Sequence, residues 1–293
     1  GRKRKIRLED VSYIYSPKTA YAMQALEHVS LDIYEGYFVG IIGHTGSGKS
    51  TLIQLLNGLI RASSGRILYE DQDIYAPGFS MRSLRGQVGL VFQYPEYQLF
   101  EETVEKDVAY GPRKMGVPES ELAGRVRVAL EHVGIDYELY KDKSPFSLSG
   151  GQKRKIAIAG VLAMEPEVLV LDEPAAGLDM EPSILILDEP IAGLDPMGRE
   201  NFMQLSRDLN ETGITILMIS HNMDNLAEYA GRVLAMNGGE LYLNGTPREV
   251  FAQEEKLVAA GLDLEMPSAR SRQAGGAAAG AGHGYSPGNH PLP

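Results

Sequence analysis

The residues with the plainest chemical use lie in one short run, Gly43-His44-Thr45-Gly46-Ser47-Gly48-Lys49-Ser50-Thr51. The run fits the spacing G-x-x-x-x-G-K-[ST] through Gly43, Gly48, Lys49 and Ser50. Glycines let backbone N–H groups curl around phosphate oxygens, where a Cβ would block the approach. The N-terminus of the helix that follows would add partial positive charge. Lys49 can neutralise β- and γ-phosphates, and the Ser50 hydroxyl can join the shell of a Mg²⁺ ion. The flanks suit that chemistry. Phe38-Val39-Gly40-Ile41-Ile42 reads as a buried strand and Leu52-Ile53-Gln54-Leu55-Leu56 as a helix. An ordinary glycine-rich turn would explain the glycines but not Lys49-Ser50. The run therefore predicts a site for a nucleoside triphosphate with Mg²⁺.

Four further stretches could serve such a site. Leu169-Val170-Leu171-Asp172-Glu173 is an apolar strand ending in two carboxylates, the first suited to a Mg²⁺ shell and the second to polarising a water. Leu148-Ser149-Gly150-Gly151-Gln152 places a capping serine and two glycines at a helix start, a second anion cradle. His221 comes just after the apolar run Ile214–Ile219, where it can meet a γ-phosphate or merely cap the strand. Tyr13 and Tyr15, ahead of the phosphate loop, can stack on a base or belong to a half-buried strand.

The elements that must hold these residues can be read from periodicity. Residues 6–33 are short and strand-like, and 65–69 and 88–92 read as further strands, the second running into Gln93. Residues 94–100, Tyr-Pro-Glu-Tyr-Gln-Leu-Phe, are expected to form a surface loop. A helix over 119–133 would place Leu122, Val126 and Leu130 on one face, and another runs from Ile156 to Met164. Residues 232–236 and 240–243 read as a hairpin closed at Asn237-Gly238-Gly239.

Composition limits the alternatives. The 293 residues are 43% hydrophobic, enough for a large α/β core. A net charge of −11 opposes general nucleic-acid binding. With no cysteine, disulfides and zinc–thiolate sites are excluded. No apolar run approaches the ~20 residues of a membrane helix and no signal peptide is visible, so a soluble, cytosolic protein is expected, carried to any membrane by a partner. The basic start, Arg2-Lys3-Arg4-Lys5, is read as a solvated, trimmed terminus. From Ser268 the chain turns to Gly, Ala, Ser and Pro, and 268–293 is expected to be a disordered tail.

Phosphate loop, Gln93, Leu148–Gln152, Leu169–Glu173 and His221 stand in the order that resembles the nucleotide-binding domain of ABC ATPases, over about 5–260. The resemblance implies a P-loop α/β fold of ABC type, with an antiparallel β subdomain and a helical subdomain at about 94–164. It implies two such domains facing head to tail, each ATP held by the phosphate loop of one and the Leu-Ser-Gly-Gly-Gln signature of the other. It further implies Tyr15 as the base-stacking ring, Gln93 as a Mg²⁺ and coupling-loop residue, and His221 as the switch histidine. Phe92 to Val104, together with Ser144-Pro145-Phe146-Ser147, looks like the second ATPase paralogue of energy-coupling factor transporters. Such subunits sit at the cytoplasmic face of the membrane with a sister ATPase, a membrane coupling subunit and exchangeable substrate-binding membrane subunits, and they energise uptake of vitamins or metal ions. The rivals are the ATPase of a cobalt or nickel importer, a soluble ABC protein of translation or repair, and a binding-only subunit.

The chain departs from that pattern in places. A low-complexity tail stands where the family continues into a further helix, and Ala175 and Ile191 stand where threonine is common. Most conspicuously, 165–180 (EPEVLVLDEPAAGLDM) is followed by a second copy at 181–196 (EPSILILDEPIAGLDP). Only one copy can fill the strand beside the phosphate loop. Copy two runs into Pro196-Met197-Gly198-Arg199, which looks like the family's helix entry, so copy two is favoured. Asp188 would then hold Mg²⁺ and Glu189 polarise the water, with Asp172 and Glu173 as the alternative pair.

Overall fold

The computed structural model describes residues 1–92, 95–172 and 196–262. Two sheets and a helical layer stack on one another. The first sheet is antiparallel, in the order β2-β1-β4-β5: β1 (Arg4–Tyr15), β2 (Met23–Tyr34), β4 (Ser64–Tyr69) and β5 (Gln72–Asp73). The second runs β10-β9-β3-β8-β7-β6: β3 (Phe38–Ile42), β6 (Val88–Val91), β7 (Val168–Asp172), β8 (Thr215–Ile219), β9 (Arg232–Asn237) and β10 (Glu240–Gly245). Its strands are parallel except β10, which returns from β9 as a hairpin through Gly238 and Gly239. Both glycines have positive φ, 57° and 82°, as the tight two-residue turn requires.

The central strands are apolar throughout because both faces are covered. Along β7 the side chains alternate: Val168 and Val170 pack with α1 (Lys49–Asn57) and the first sheet, and Leu169 and Leu171 with the helices of the opposite face. β8 does the same, with Leu217 and Ile219 on one side and Ile216 and Met218 on the other. The other helices are α2 (Met81–Gln87), α3 (Val104–Lys114), α4 (Glu119–His132), α5 (Tyr137–Tyr140), α6 (Gly150–Leu162), α7 (Pro196–Glu211), α8 (Met223–Tyr229), α9 (Pro247–Phe251) and α10 (Glu254–Ala259). α3, α4 and α6 pack on one another, and α4 buries Leu122, Val126 and Leu130 as its spacing requires.

Two expectations are borne out and two are corrected. The stretch after residue 94 lies at the surface as expected, with Tyr97 and Phe100 exposed, and Pro95–Gln98 form a 3-10 turn with Pro95 and Leu99 buried. The capped helix start read at Leu148–Gln152 is borne out, with Ser149 capping α6 at Gly150. The basic start is solvated only at Arg2 and Lys3. Lys5 is 7% exposed, with Nζ 2.9 Å from Glu70 and 3.0 Å from Glu167, while Lys3 pairs with Glu70 and Arg4 with Asp71. Finally, the strand between β6 and β8 is Val168–Asp172, from copy one, not copy two. Glu167 leads into it. Its N–H donates to Gln87 O and its carbonyl accepts from Thr215 N–H, and its carboxylate meets Lys5 and Tyr69. The matching residue of copy two is Ser183, which lacks that carboxylate. Gln93, Glu173, Asp188, Glu189 and the tail at 268–293 lie outside the described residues.

Candidate functional site

The phosphate loop leaves β3 at Ile42 and enters α1 at Lys49. Gly48 is the N-cap and offers no side-chain cap, so the first N–H groups of α1 are left for a ligand. Its φ of +106° and a close approach (a Cβ would lie 2.8 Å from Leu26 Cδ2 and 3.0 Å from Ala25 O) admit only glycine there. The β9–β10 turn braces the loop: Gly239 N–H donates to Ser47 O at 3.0 Å, and Glu27 N–H donates to Gly239 O at 2.9 Å. Lys49, 9% exposed, turns its ammonium inward and donates to the Gly43 carbonyl. Ser47 Oγ is buried without a hydrogen-bond partner. A backbone cradle, a buried ammonium and an unpaired hydroxyl fit a triphosphate. His44 is held by Asn237 and by the Thr45 carbonyl, and Thr51 by the Tyr15 hydroxyl at 3.0 Å.

The other chemical residues converge through strand register. Ile41 of β3 is level with Ile219 of β8, and Ile219 with Asp172 of β7. With strands about 4.8 Å apart, Asp172 stands about 10 Å from the strand that delivers the phosphate loop. One step further along β8 come Ser220 and His221, with Ser220 N–H donating to Ile41 O at 3.3 Å. β6 reaches the same edge, since Val91 is level with Leu171, and Phe92 comes next in the chain. The phosphate loop, Asp172, His221 and the chain leading to Gln93 therefore leave one edge of one sheet. Ser50, at the N-terminus of α1, and Asp172 carry hydroxyl and carboxylate oxygens of the kind that would suit a Mg²⁺ ion.

The signature residues stand apart from this edge. Leu148 precedes α6, and Ser149 caps it in a reciprocal box: its side chain accepts from Gln152 N–H, and Gln152 Oε1 accepts from Ser149 N–H, both at 3.2 Å. Gln152 Nε2 also donates to Tyr140 Oη at 3.1 Å. A Cβ on Gly150 or Gly151 would meet nothing within 4 Å. This N-terminus is open on the surface, while the helix packs on α3, α4 and β6 rather than on α1. Sequence reasoning missed its fastening: Arg154 pairs with Glu96 at 3.2 Å, both 15% exposed, tying α6 to the turn just after Gln93. It also missed Gly239 as the brace of the phosphate loop; only the motif's need for close packing could have pointed there.

Residues 26–176 match the ABC transporter family. The chain belongs to that family of ATP-binding proteins. Within it, the chain groups with the energy-coupling factor transporter ATP-binding proteins. It is 51% identical to EcfA2 of Clostridium perfringens over 258 residues, covering 88% of this chain and 85% of that protein. It is equally 51% identical to EcfA2 of Symbiobacterium thermophilum over 259 residues, 88% and 84% of the two chains. Among solved structures, CbiO1 of C. perfringens, described as part of the ABC transporter complex CbiONQ, is 39% identical with a TM-score of 0.70, over 89% of this chain and 96% of that one. The ATP-binding cassette MJ0796, solved as a post-hydrolysis dimer with ADP and Pi, is 25% identical with a TM-score of 0.66, over 83% and 98%. No helix among the described residues is long and apolar enough to cross a membrane.

Proposed function

We propose that this chain hydrolyses ATP to energise an energy-coupling factor importer of vitamins or related micronutrients, at the cytoplasmic face of the membrane. The observation that carries the reading is the single sheet edge from which the phosphate loop, Asp172 and His221 all emerge. Backbone N–H groups of residues 43–51 and the Lys49 ammonium bind the phosphates, and Tyr15 carries the base. Ser50, Gln93 and Asp172 would hold Mg²⁺, with Asp188 as the second-copy counterpart. When bound, Mg²⁺ neutralises charge on the β- and γ-phosphates. Glu173, directly after Asp172, polarises the attacking water, with Glu189 its second-copy counterpart, and His221 meets the γ-phosphate. The open signature at Leu148–Gln152 closes on the ATP of a sister ATPase, which makes a heterodimer the working unit. The movement passes to a membrane coupling subunit through the surface around Gln93, and exchangeable membrane subunits bring the substrate.

The test is phosphate release and substrate uptake by the complex of this chain, its sister ATPase and the membrane subunits in vesicles. ATP-dependent uptake that is lost with Lys49→Ala supports the reading. Uptake that persists with that variant, or a complex that binds ATP without releasing phosphate, defeats it. A cobalt or nickel importer is the nearest rival. The membrane protein that co-purifies, and the substrate it binds, separates the two.

A further inference from the structure

The two copies differ little in the apolar surface they can bury. In the strand, copy two replaces Val168 and Val170 with isoleucines, Ile184 and Ile186, and keeps both leucines and the Asp-Glu end. Val168 and Val170 are 0% and 2% exposed in a packed cluster, so the extra methylenes gain little or must force room. Backbone pairing to β6 and β8 is open to either copy. The residue before the strand is where they part.

Glu167 lies at a junction of three elements. Lys5 on β1 points its ammonium into that junction, with only 8% of its side chain exposed, and meets Glu167 Oε2 at 3.0 Å. The Tyr69 hydroxyl, on β4, donates to the same oxygen at 2.6 Å. Glu70 Oε1 holds the other side of Lys5 at 2.9 Å. Ser183, in the matching place of copy two, is uncharged and two carbons shorter. With Ser183 there, Tyr69 would lose its acceptor and Lys5 one of its two carboxylates, both in a half-buried setting where an unmet polar group is costly.

We propose that the Glu167 carboxylate commits the first copy, rather than the second, to the β7 position, so that Asp172 and Glu173 are the pair delivered to the phosphate loop. Glu167 is a positioning residue, reaching the reaction only through the strand that it precedes. The delivery of a catalytic pair rests on the ATPase reading above, whereas the choice of strand does not.

The test compares the full-length chain with Glu167→Ser and with the double exchange Glu167→Ser/Ser183→Glu, using hydrogen exchange read by mass spectrometry. The copies differ in mass, so their amides are resolved. In the parent, amides of 169–172 should exchange at least ~10-fold more slowly than those of 185–188. In the double exchange the order should reverse. If Glu167→Ser alone merely loosens the chain, the double exchange, which keeps the carboxylate, still decides. An unchanged order in the double exchange overturns the proposal, as does stronger protection of 185–188 in the parent. Turnover of the assembled ATPase gives a second reading: Glu173→Gln should abolish it in the parent and Glu189→Gln in the double exchange. If protection reverses but neither glutamine affects turnover, the choice of strand stands and the ATPase assignment of these carboxylates fails.

Discussion

The Tyr15 hydroxyl lies 3.0 Å from Thr51 Oγ1, joining the end of β1 to the first turn of the helix behind the phosphate loop. Tyr13 packs edge-on against the same ring, with centroids 4.8 Å apart. The ring is thus fixed beside the nucleotide site by a hydrogen bond at its tip and an aromatic contact on its body.

The two contacts divide the work of Tyr15. Tyr15→Phe removes only the hydroxyl, costing about 1 kcal/mol of stability and leaving ATP affinity within about three-fold. Tyr15→Ala removes the stacking face, worth about 1–3 kcal/mol, and should weaken ATP by roughly 5- to 150-fold. Fluorescence titration with ATP and with inorganic triphosphate checks this. The loss should appear with ATP and vanish with triphosphate; an equal loss with both would mean that the ring only supports the loop.

Lys49→Ala takes a charge-assisted contact from the phosphates, about 1.5–3 kcal/mol. ATP affinity should fall about 10- to 100-fold by calorimetry. Since Lys49 also donates to the Gly43 carbonyl, thermal melting without nucleotide should be measured alongside. Affinity equal to the parent's would remove Lys49 from the site.

Much of this is legible in the sequence because local pattern and tertiary role coincide. The run into Gly43–Thr51 announces its strand and helix, and the spacing of Leu122, Val126 and Leu130 announces α4. The features that sequence misreads depend on distant partners. Lys5 reads as a solvated terminal charge until Glu70 and Glu167, 65 and 162 residues away, are seen around it. The choice between the copies misleads for the same reason. Pro196-Met197-Gly198-Arg199 points to copy two because it lies downstream of that copy and resembles a helix entry. The difference that matters, Glu167 against Ser183, lies upstream of the strand and has meaning only once Lys5 and Tyr69 are placed. The start of helix α6, by contrast, is legible in Ser149 and its glycines, because the Ser149–Gln152 box, not the apolar run, sets it.

The same junction should govern acid stability. Hydrogen bonds from Lys5 and then Lys3 lower the Glu70 carboxyl from its ordinary 4.5 to about 2. A carboxyl lowered on folding stabilises the fold above its unfolded value and loses that contribution as protons return. The contribution is therefore complete above about pH 4.5 and fades as pH falls toward about 2. Allowing for partial exposure, it is about 1 kcal/mol. Between pH 6 and 2, melting temperatures of the parent should fall more steeply than those of Glu70→Gln, the two curves converging at the acid end. Parallel curves would mean that the pairing adds nothing.

The openness of the α6 N-terminus permits a sharper test of action in trans. Gly151 lies in the first turn, and a Cβ there meets nothing within 4 Å. Gly151→Asp fits without a clash. An acidic residue at a helix start is favoured by the helix dipole by about 0.3–1 kcal/mol, and a non-glycine residue helps the helix further. The isolated chain should therefore melt no lower than the parent and bind ATP to its own phosphate loop with unchanged affinity. Opposite a sister subunit's triphosphate, the added carboxylate meets like charge in a closed interface, where repulsion is large. Turnover of the assembled pair should fall about ten-fold or more. Loss of ATP binding by the isolated chain would mean that the signature faces its own nucleotide. Turnover equal to the parent's would remove the signature from the working site altogether.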